Sequence, residues 1–284
     1  MISQTDVEKL LRHNHSELDL DSLVLIKQDI FGATYLVNTT HYFKFASCDM
    51  ESQSIQTMAN LLPKLSQHVD VTLPRVDYSG VLPGTHFHYM GVTSIPGEPV
   101  TREYFDSLGQ IQQKKLLQSI ATFLEQCHSF DPAAAIACGV EFTRRNWSAS
   151  RFLARHSSAY NKELNSLLSS AENQPIITAQ QTDHSDKSAA DIPTINSVPQ
   201  LLQFKLALLH NDFRDDHVYI DRRTGNVTGI IDFGNVALGD PFDDFVLLLL
   251  RMGEDFVEQL LAFYHTKEPA VLRAQLKHRD QLFG

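Results

Sequence analysis

From Leu206 the chain reads Leu206-Ala207-Leu208-Leu209-His210-Asn211-Asp212-Phe213-Arg214-Asp215-Asp216-His217, a short apolar run that breaks into a dense polar one. Val218-Tyr219-Ile220 follows, then the turn Asp221-Arg222-Arg223-Thr224-Gly225-Asn226, then Val227-Thr228-Gly229-Ile230-Ile231 leading into Asp232-Phe233-Gly234. Two short β-rich runs joined by a polar Gly/Asn turn predict a hairpin. An Asp stands at each end of it, so Asp212 and His217 are expected to face Asp232 across a small gap. Each piece alone has a bland reading, a polar loop or a strand-ending turn. The information lies in their combination at this spacing.

Two carboxylates and an imidazole held together suit phosphoryl transfer. One carboxylate can orient an attacking hydroxyl and accept its proton, while other ligands hold the magnesium that neutralises charge on the moving phosphate. The stretch resembles the protein-kinase catalytic loop, His-x-Asp with a metal-holding Asn five residues after the Asp and a later Asp-Phe-Gly. Asp212 matches that Asp and Asp232 the later one, while His217 stands where Asn is usual. Arg214 stands where protein kinases carry a Lys that reaches the transferring phosphate. With Gly229-Ile230-Ile231-Asp232-Phe233-Gly234 included, the chain is similar to the aminoglycoside phosphotransferases, in particular the branch acting on the 2''-hydroxyl. Macrolide phosphotransferases also carry a His at that position, but usually have Trp where this chain has Phe233. The resemblance implies a protein-kinase-like fold, Asp212 as catalytic base with Arg214 beside it, and His217 and Asp232 holding Mg2+. Magnesium prefers oxygen ligands, so one imidazole nitrogen on one ion is expected, with water and phosphate oxygens completing the shell.

The N-terminal part is consistent with a nucleotide-binding lobe. Val7, Leu10 and Leu11 fall at helical spacing within Asp6 to His13. Leu23 to Lys27 and Thr34 to Val37 read as strands around the turn Gln28 to Ala33, in which Gly32 is the one glycine. Tyr42-Phe43-Lys44-Phe45 reads as a strand placing a single Lys among aromatics. In the helix expected from Asp49 to Leu62, Glu51 shares a face with Ile55, Met58 and Leu62, and a Glu there wants a cationic partner. Lys44 and Glu51 are therefore expected to form the ion pair that kinases use at the α- and β-phosphates, with Asp49 as the rival acid. Val71 to Val76 and His86 to Val92 are expected to complete the sheet. Thr93-Ser94-Ile95-Pro96-Gly97-Glu98-Pro99 reads as a connector. By resemblance, 93–97 is the hinge, and the backbone of Thr93, Ser94 and Ile95 pairs with the purine of ATP or GTP. Val92, small where some relatives carry a bulky aromatic, leaves room for adenine.

Composition sets the bounds. At 284 residues with 43% apolar content the chain can build one large domain or two lobes. A net charge of -10 argues against a nucleic-acid partner and is compatible with a cationic small molecule. Cys48, Cys127 and Cys138 are scattered without ligand spacing and suggest free thiols in a reducing compartment. No signal pattern or membrane-length run occurs, so a cytoplasmic monomer without membrane contact is expected.

The remaining chain reads as helical. Lys115 to Phe130 carries an apolar stripe of Leu116, Leu117, Ile120, Phe123, Leu124 and Cys127. Further helices are expected over 146–169, around Trp147, and His128 and His156 read as core histidines. Residues 172–197 lack hydrophobic periodicity and read as a polar loop. Pro241 to Arg251 and Glu254 to Tyr264 read as helices, with Asp240 capping the first and Asp244 resembling the acid that anchors the catalytic loop. Relatives usually continue beyond the position of Gly284 and carry more acids than Glu254-Asp255 to bind the aminoglycoside.

The expected architecture is a two-lobe α+β fold. A β-rich lobe spans 1–92, the hinge 93–97, and a helical lobe 98–284 that contains the catalytic hairpin 206–234. The expected activity is transfer of a nucleoside-triphosphate γ-phosphate to an aminoglycoside hydroxyl. A kinase of a macrolide or other hydroxylated metabolite is the nearest alternative. A catalytically silent binding protein is the alternative of a different class.

Overall fold

The computed structural model describes residues 2–143 and 206–265. The helices expected over 146–169, Trp147, His156 and the polar segment 172–197 lie outside the described residues.

Helix α1 (Gln4–Asn14) starts at Ser3, whose Oγ accepts the Asp6 amide at 3.2 Å, and buries Val7, Leu10 and Leu11. Five antiparallel strands follow, β1 (Leu23–Gln28), β2 (Gly32–Val37), β3 (His41–Ala46), β4 (Val76–Val81) and β5 (His88–Thr93), in the order β1-β2-β3-β5-β4. Strand alternation sorts their side chains onto two faces. Tyr35, Val37, Phe43, Phe45 and Tyr89 pack with α1 in one cluster. Ala46, Met90 and Val92 belong to the other cluster, with helix α2 (Asp49–Leu65).

Two expectations about this sheet need correction. No strand forms over 71–75; β4 begins at Val76, because Pro74 has no N–H for a ladder. The segment is used differently: the Thr72 carbonyl accepts the Ile230 amide at 3.1 Å and so ties the sheet region to the later hairpin. Helix α2 also runs past Leu62, through Pro63, since burial of Leu65 outweighs one lost backbone bond in the last turn.

Beyond the connector, β6 (Glu98–Pro99) pairs with β8 (Val218–Asp221), which pairs with β9 (Asn226–Ile230). The hairpin expected between 218 and 231 is thus part of a three-stranded sheet. β7 (Ala207–Leu209) pairs with β10 (Ala237–Gly239). Helices α3 (Arg102–Ser107), α4 (Gln110–Ser129), α5 (Pro132–Ala137), α6 (Asp243–Met252) and α7 (Glu254–Leu261) surround these strands. Helix α4 begins five positions before Lys115, because the Gln112 side chain accepts the Gly109 amide at 3.1 Å and secures an extra turn. Helix α6 begins at Asp243, not at Pro241. Asp240 instead forms a turn, its Oδ1 accepting the Phe242 amide at 3.0 Å.

One continuous core joins α2, α4, the hairpin, α6 and α7. All three cysteines are free thiols, and burial pushes the Cys127 thiol above its ordinary value. Among the described residues, no helix is long and apolar enough to cross a membrane.

Gly97 sits where the connector turns into β6, with φ at +110°. A Cβ there would overlap the carbonyl oxygen of Ile220 on β8. Gly97→Ala should therefore cost about 1–3 kcal/mol through backbone strain alone. Urea unfolding should show a lower midpoint at unchanged slope, and an unchanged midpoint would refute the steric argument.

Candidate active site

Two packing events deliver the central loop. Pairing of β7 with β10 carries the chain to His210, and helix α6 places Asp244, fully buried, beneath the loop. The Asp244 carboxylate accepts the His210 amide at 2.9 Å and the Asn211 amide at 2.6 Å. It also accepts His128 Nε2–H at 3.0 Å, while His128 Nδ1 accepts the Tyr264 hydroxyl at 2.6 Å. A buried carboxylate that receives three donors is what the interior demands of such a group. His128 is thus more than core filling: it supports the residue that shapes the loop. Only the fold could reveal this, because α4, α6 and Tyr264 meet through tertiary packing.

The loop backbone is strained at two points. Asn211 (φ +62°) and Asp232 (φ +66°) both lie in the left-handed region without being glycine. Side-chain bonds hold these turns. The buried His210 donates Nε2–H to the Ile231 carbonyl at 2.9 Å, and Asn211 Nδ2 donates to the Asn235 carbonyl at 2.9 Å. Burial holds the His210 imidazole below its ordinary pKa, consistent with a neutral ring bonded this way. Ile231 N–H donates to the His217 carbonyl at 3.0 Å, closing the two halves of the hairpin.

The result brings Asp212, His217 and Asp232 together, with one ligand atom of each lying within 4.8 Å of the others. His217 Nδ1–H donates to the Asp212 carbonyl at 2.9 Å, so Nε2 presents its lone pair to the gap. Arg214 Nη2 donates to that Nε2 at 2.6 Å, and Arg214 Nε lies 3.6 Å from Asp212 Oδ1. Burial pulls the Asp232 carboxyl upward, but Lys44, by charge and hydrogen bond, outweighs it and holds the group well below the usual carboxylate range. A charge-rich cleft with an anionic, imidazole-bearing donor set suits a divalent cation.

Lys44 requires a correction. Its Nζ bonds Asp232 Oδ1 at 2.8 Å and forms no ion pair with Glu51. Asp49, the rival acid, pairs with His86 at 2.5 Å. The Asp232 carboxylate competes successfully because the hairpin carries it to the end of the Lys44 side chain. Burial raises the Glu51 carboxyl while Lys44, at longer range, lowers it. Ser54 on α2 donates to the Gly234 carbonyl at 2.7 Å, fixing that helix to the Asp-Phe-Gly turn.

The connector's first two amides are engaged within the protein. Thr93 N–H donates to the Arg75 carbonyl at 2.9 Å and Ser94 N–H to the Thr40 carbonyl at 2.7 Å. Closure of the sheet end uses both amides, whereas the Ile95 N–H has no backbone partner among the described residues. Cross-strand register discloses two further rows on the Lys44 face. Val24, Leu36, Tyr42 and Val92 pair in succession across β1, β2, β3 and β5, forming an apolar row. Lys27, Thr34 and Lys44 form the polar row beside it. The period-2 pattern of each strand was visible in the sequence; the register that aligns them was not.

Asp244→Ala would leave two buried amides and a buried imidazole without their acceptor. A cost of about 3–5 kcal/mol is expected from loss of one partner of a buried hydrogen-bonded charge. Chemical denaturation measures it, and a loss below about 1 kcal/mol would remove Asp244 from this structural role.

Comparison with known proteins places this geometry. Residues 23–275 match the model of the phosphotransferase enzyme family. Among curated proteins, an uncharacterized protein YcbJ of Bacillus subtilis (strain 168) is 38% identical over 58 residues, 20% of this chain and 19% of that protein's length. The chain thus matches about a fifth of the length of that curated relative. Among solved structures, the GDP and kanamycin complex of APH(2")-IIIa is similar with a TM-score of 0.69 at 20% identity, covering 95% of this chain and 86% of that one. The streptomycin-ATP-APH(2")-IIa ternary complex gives 0.66 at 20% identity, covering 99% and 88%. The macrolide 2'-phosphotransferase MphH from Brachybacterium faecium gives 0.58 at 19% identity, covering 98% and 88%. The fold is that of the kinase-like phosphotransferases, and the chain belongs to the phosphotransferase enzyme family.

Proposed function

We propose that this protein is a small-molecule kinase, transferring the γ-phosphate of ATP or GTP to a hydroxyl group. The observation that carries this reading is the convergence of Asp212, His217 and Asp232 within 4.8 Å, next to Lys44. Asp212 would orient the acceptor hydroxyl and take its proton. His217 and Asp232 would hold Mg2+, whose charge offsets that developing on the transferred phosphate. Lys44 would engage the nucleotide phosphates with Glu51 beside it, and Arg214 would reach the transferring group. The apolar row Val24, Leu36, Tyr42 and Val92 would roof the purine, with the connector at Thr93, Ser94 and Ile95 alongside and Ile95 N–H as its donor. In this reading 1–92 is the nucleotide lobe and 98–284 the acceptor lobe, in a cytoplasmic monomer. Retention of Lys44, Asp212 and Asp232 together speaks against a silent binding protein.

For the acceptor we propose an aminoglycoside, supported by the similarity to aminoglycoside-bound structures. A second reading, a macrolide or uncharged metabolite, is favoured by a specific observation. The acids nearest the loop already have cationic partners: Asp215 is bonded by Arg251, and Asp216 lies 3.3 Å from Arg214. Asp255 is held by both terminal nitrogens of Arg102 at 2.9 Å. Carboxylates neutralised internally offer less to ammonium groups.

Asp232→Ala should lower magnesium-dependent turnover by about a thousandfold, as expected for loss of several kcal/mol of charge stabilisation. Near wild-type rates at saturating magnesium would remove Asp232 from the metal site. Salt dependence separates the acceptors. Exposed charges are screened over about 8 Å at physiological ionic strength, so the KM for a polycationic acceptor should rise several-fold with added salt. A flat response with the best acceptor would transfer the assignment to an uncharged one.

A further inference from the structure

The geometry points to a second task for Arg214: in the metal-free protein it holds the place of the metal ion on His217 Nε2, and must withdraw when the ion binds. The inference rests on the reading of Asp212, His217 and Asp232 as the metal site.

Three observations support it. First, the tautomer of His217 is set from behind by the Asp212 carbonyl, so Nε2 carries a lone pair that needs a donor or a cation. Arg214 supplies that donor at 2.6 Å, on the atom the metal would take. Second, Asp232 is matched in the same way: Lys44 Nζ bonds Oδ1 at 2.8 Å, while Oδ2 lies 3.7 Å from His217 Nε2. Two cationic side chains thereby stand where one divalent ion would, which keeps a cluster of acids from repelling itself. Third, Arg214 is not fully satisfied there. Its Nε and Asp216 Oδ1 are both buried without a well-formed hydrogen bond, although only 3.3 Å apart. A guanidinium in a compromise position is easier to displace than one whose donors are all matched.

The same side chain has somewhere to go. The phosphate that arrives with the metal offers Arg214 a bidentate acceptor, so metal entry and delivery of the guanidinium to the phosphate become one coupled exchange. Arg214 thereby disfavours metal binding before nucleotide arrives, and is a positioning residue in that state.

The test is binding of Mn2+ to nucleotide-free protein, read from the loss of the free-ion electron paramagnetic resonance signal. Arg214→Ala should bind Mn2+ about tenfold more tightly than wild type, the scale of one displaced charge-assisted hydrogen bond. Arg214→Gln, which preserves bulk and is checked by circular dichroism, should shift in the same direction. In a His217→Ala background the gain from Arg214→Ala should vanish, because the contested atom is gone. Unchanged or weaker binding in both Arg214 variants would overturn the proposal, since a merely structural arginine gives that result. Tightening that persists in the His217→Ala background would also overturn it, assigning the effect to bare charge. If wild type and Asp232→Ala bind Mn2+ equally poorly with and without nucleotide, the metal-site reading itself fails. That outcome is distinct from failure of the exchange.

Discussion

The carboxylate of Asp244 is the constraint on which the site depends. It has no exposure to solvent and bonds two consecutive backbone amides, His210 and Asn211. Those two bonds set the direction in which the chain leaves β7, and so where Asp212 is presented. Because a buried acid left unmatched is costly, the loop cannot relax without exposing the cost of that charge. His128 and Tyr264 extend the arrangement into α4 and the chain after α7, so the geometry of the loop after β7 is coupled to the helical core.

The facing side of the cleft is organised by charge. Asp232 is presented from a left-handed backbone position that a non-glycine residue adopts only when its surroundings hold it there. Those surroundings are the His210 bond to Ile231, the Ser54 bond to Gly234 and the packing of Phe233 against Phe123 and His210. Lys44 and Arg214 then gather on the cluster of acids. Such pairing lets a concentrated negative site exist in a folded protein.

The two halves of the molecule are joined at close backbone contacts. Thr72 accepts the amide of Ile230, the Pro96 carbonyl of the connector accepts the Thr228 hydroxyl, and β6 enters the sheet formed by β8 and β9. The Glu98 carboxylate meets Arg222 at 2.7 Å on the hairpin turn. The five-stranded sheet is therefore held against the hairpin by the main-chain bond at Thr72 and by side-chain contacts from the connector.

The sequence by itself determined the local elements and the chemistry of the loop. Strand alternation around Lys44, the helical stripe of α4, the hairpin turn at Gly225 and the spacing from His210 to Asp232 are short-range patterns, legible because periodicity and turn chemistry act within a few residues. Tertiary structure decided the partners. Lys44 could have met Glu51, Asp49 or Asp232, and only the docking of the hairpin selected Asp232. The Thr93 and Ser94 amides looked open until sheet closure brought the Arg75 and Thr40 carbonyls to them. His128 read as a core residue until α6 carried Asp244 alongside it. In each case the deciding energy is a hydrogen bond or ion pair between groups far apart in the chain. Its geometry arises only after the intervening elements have packed.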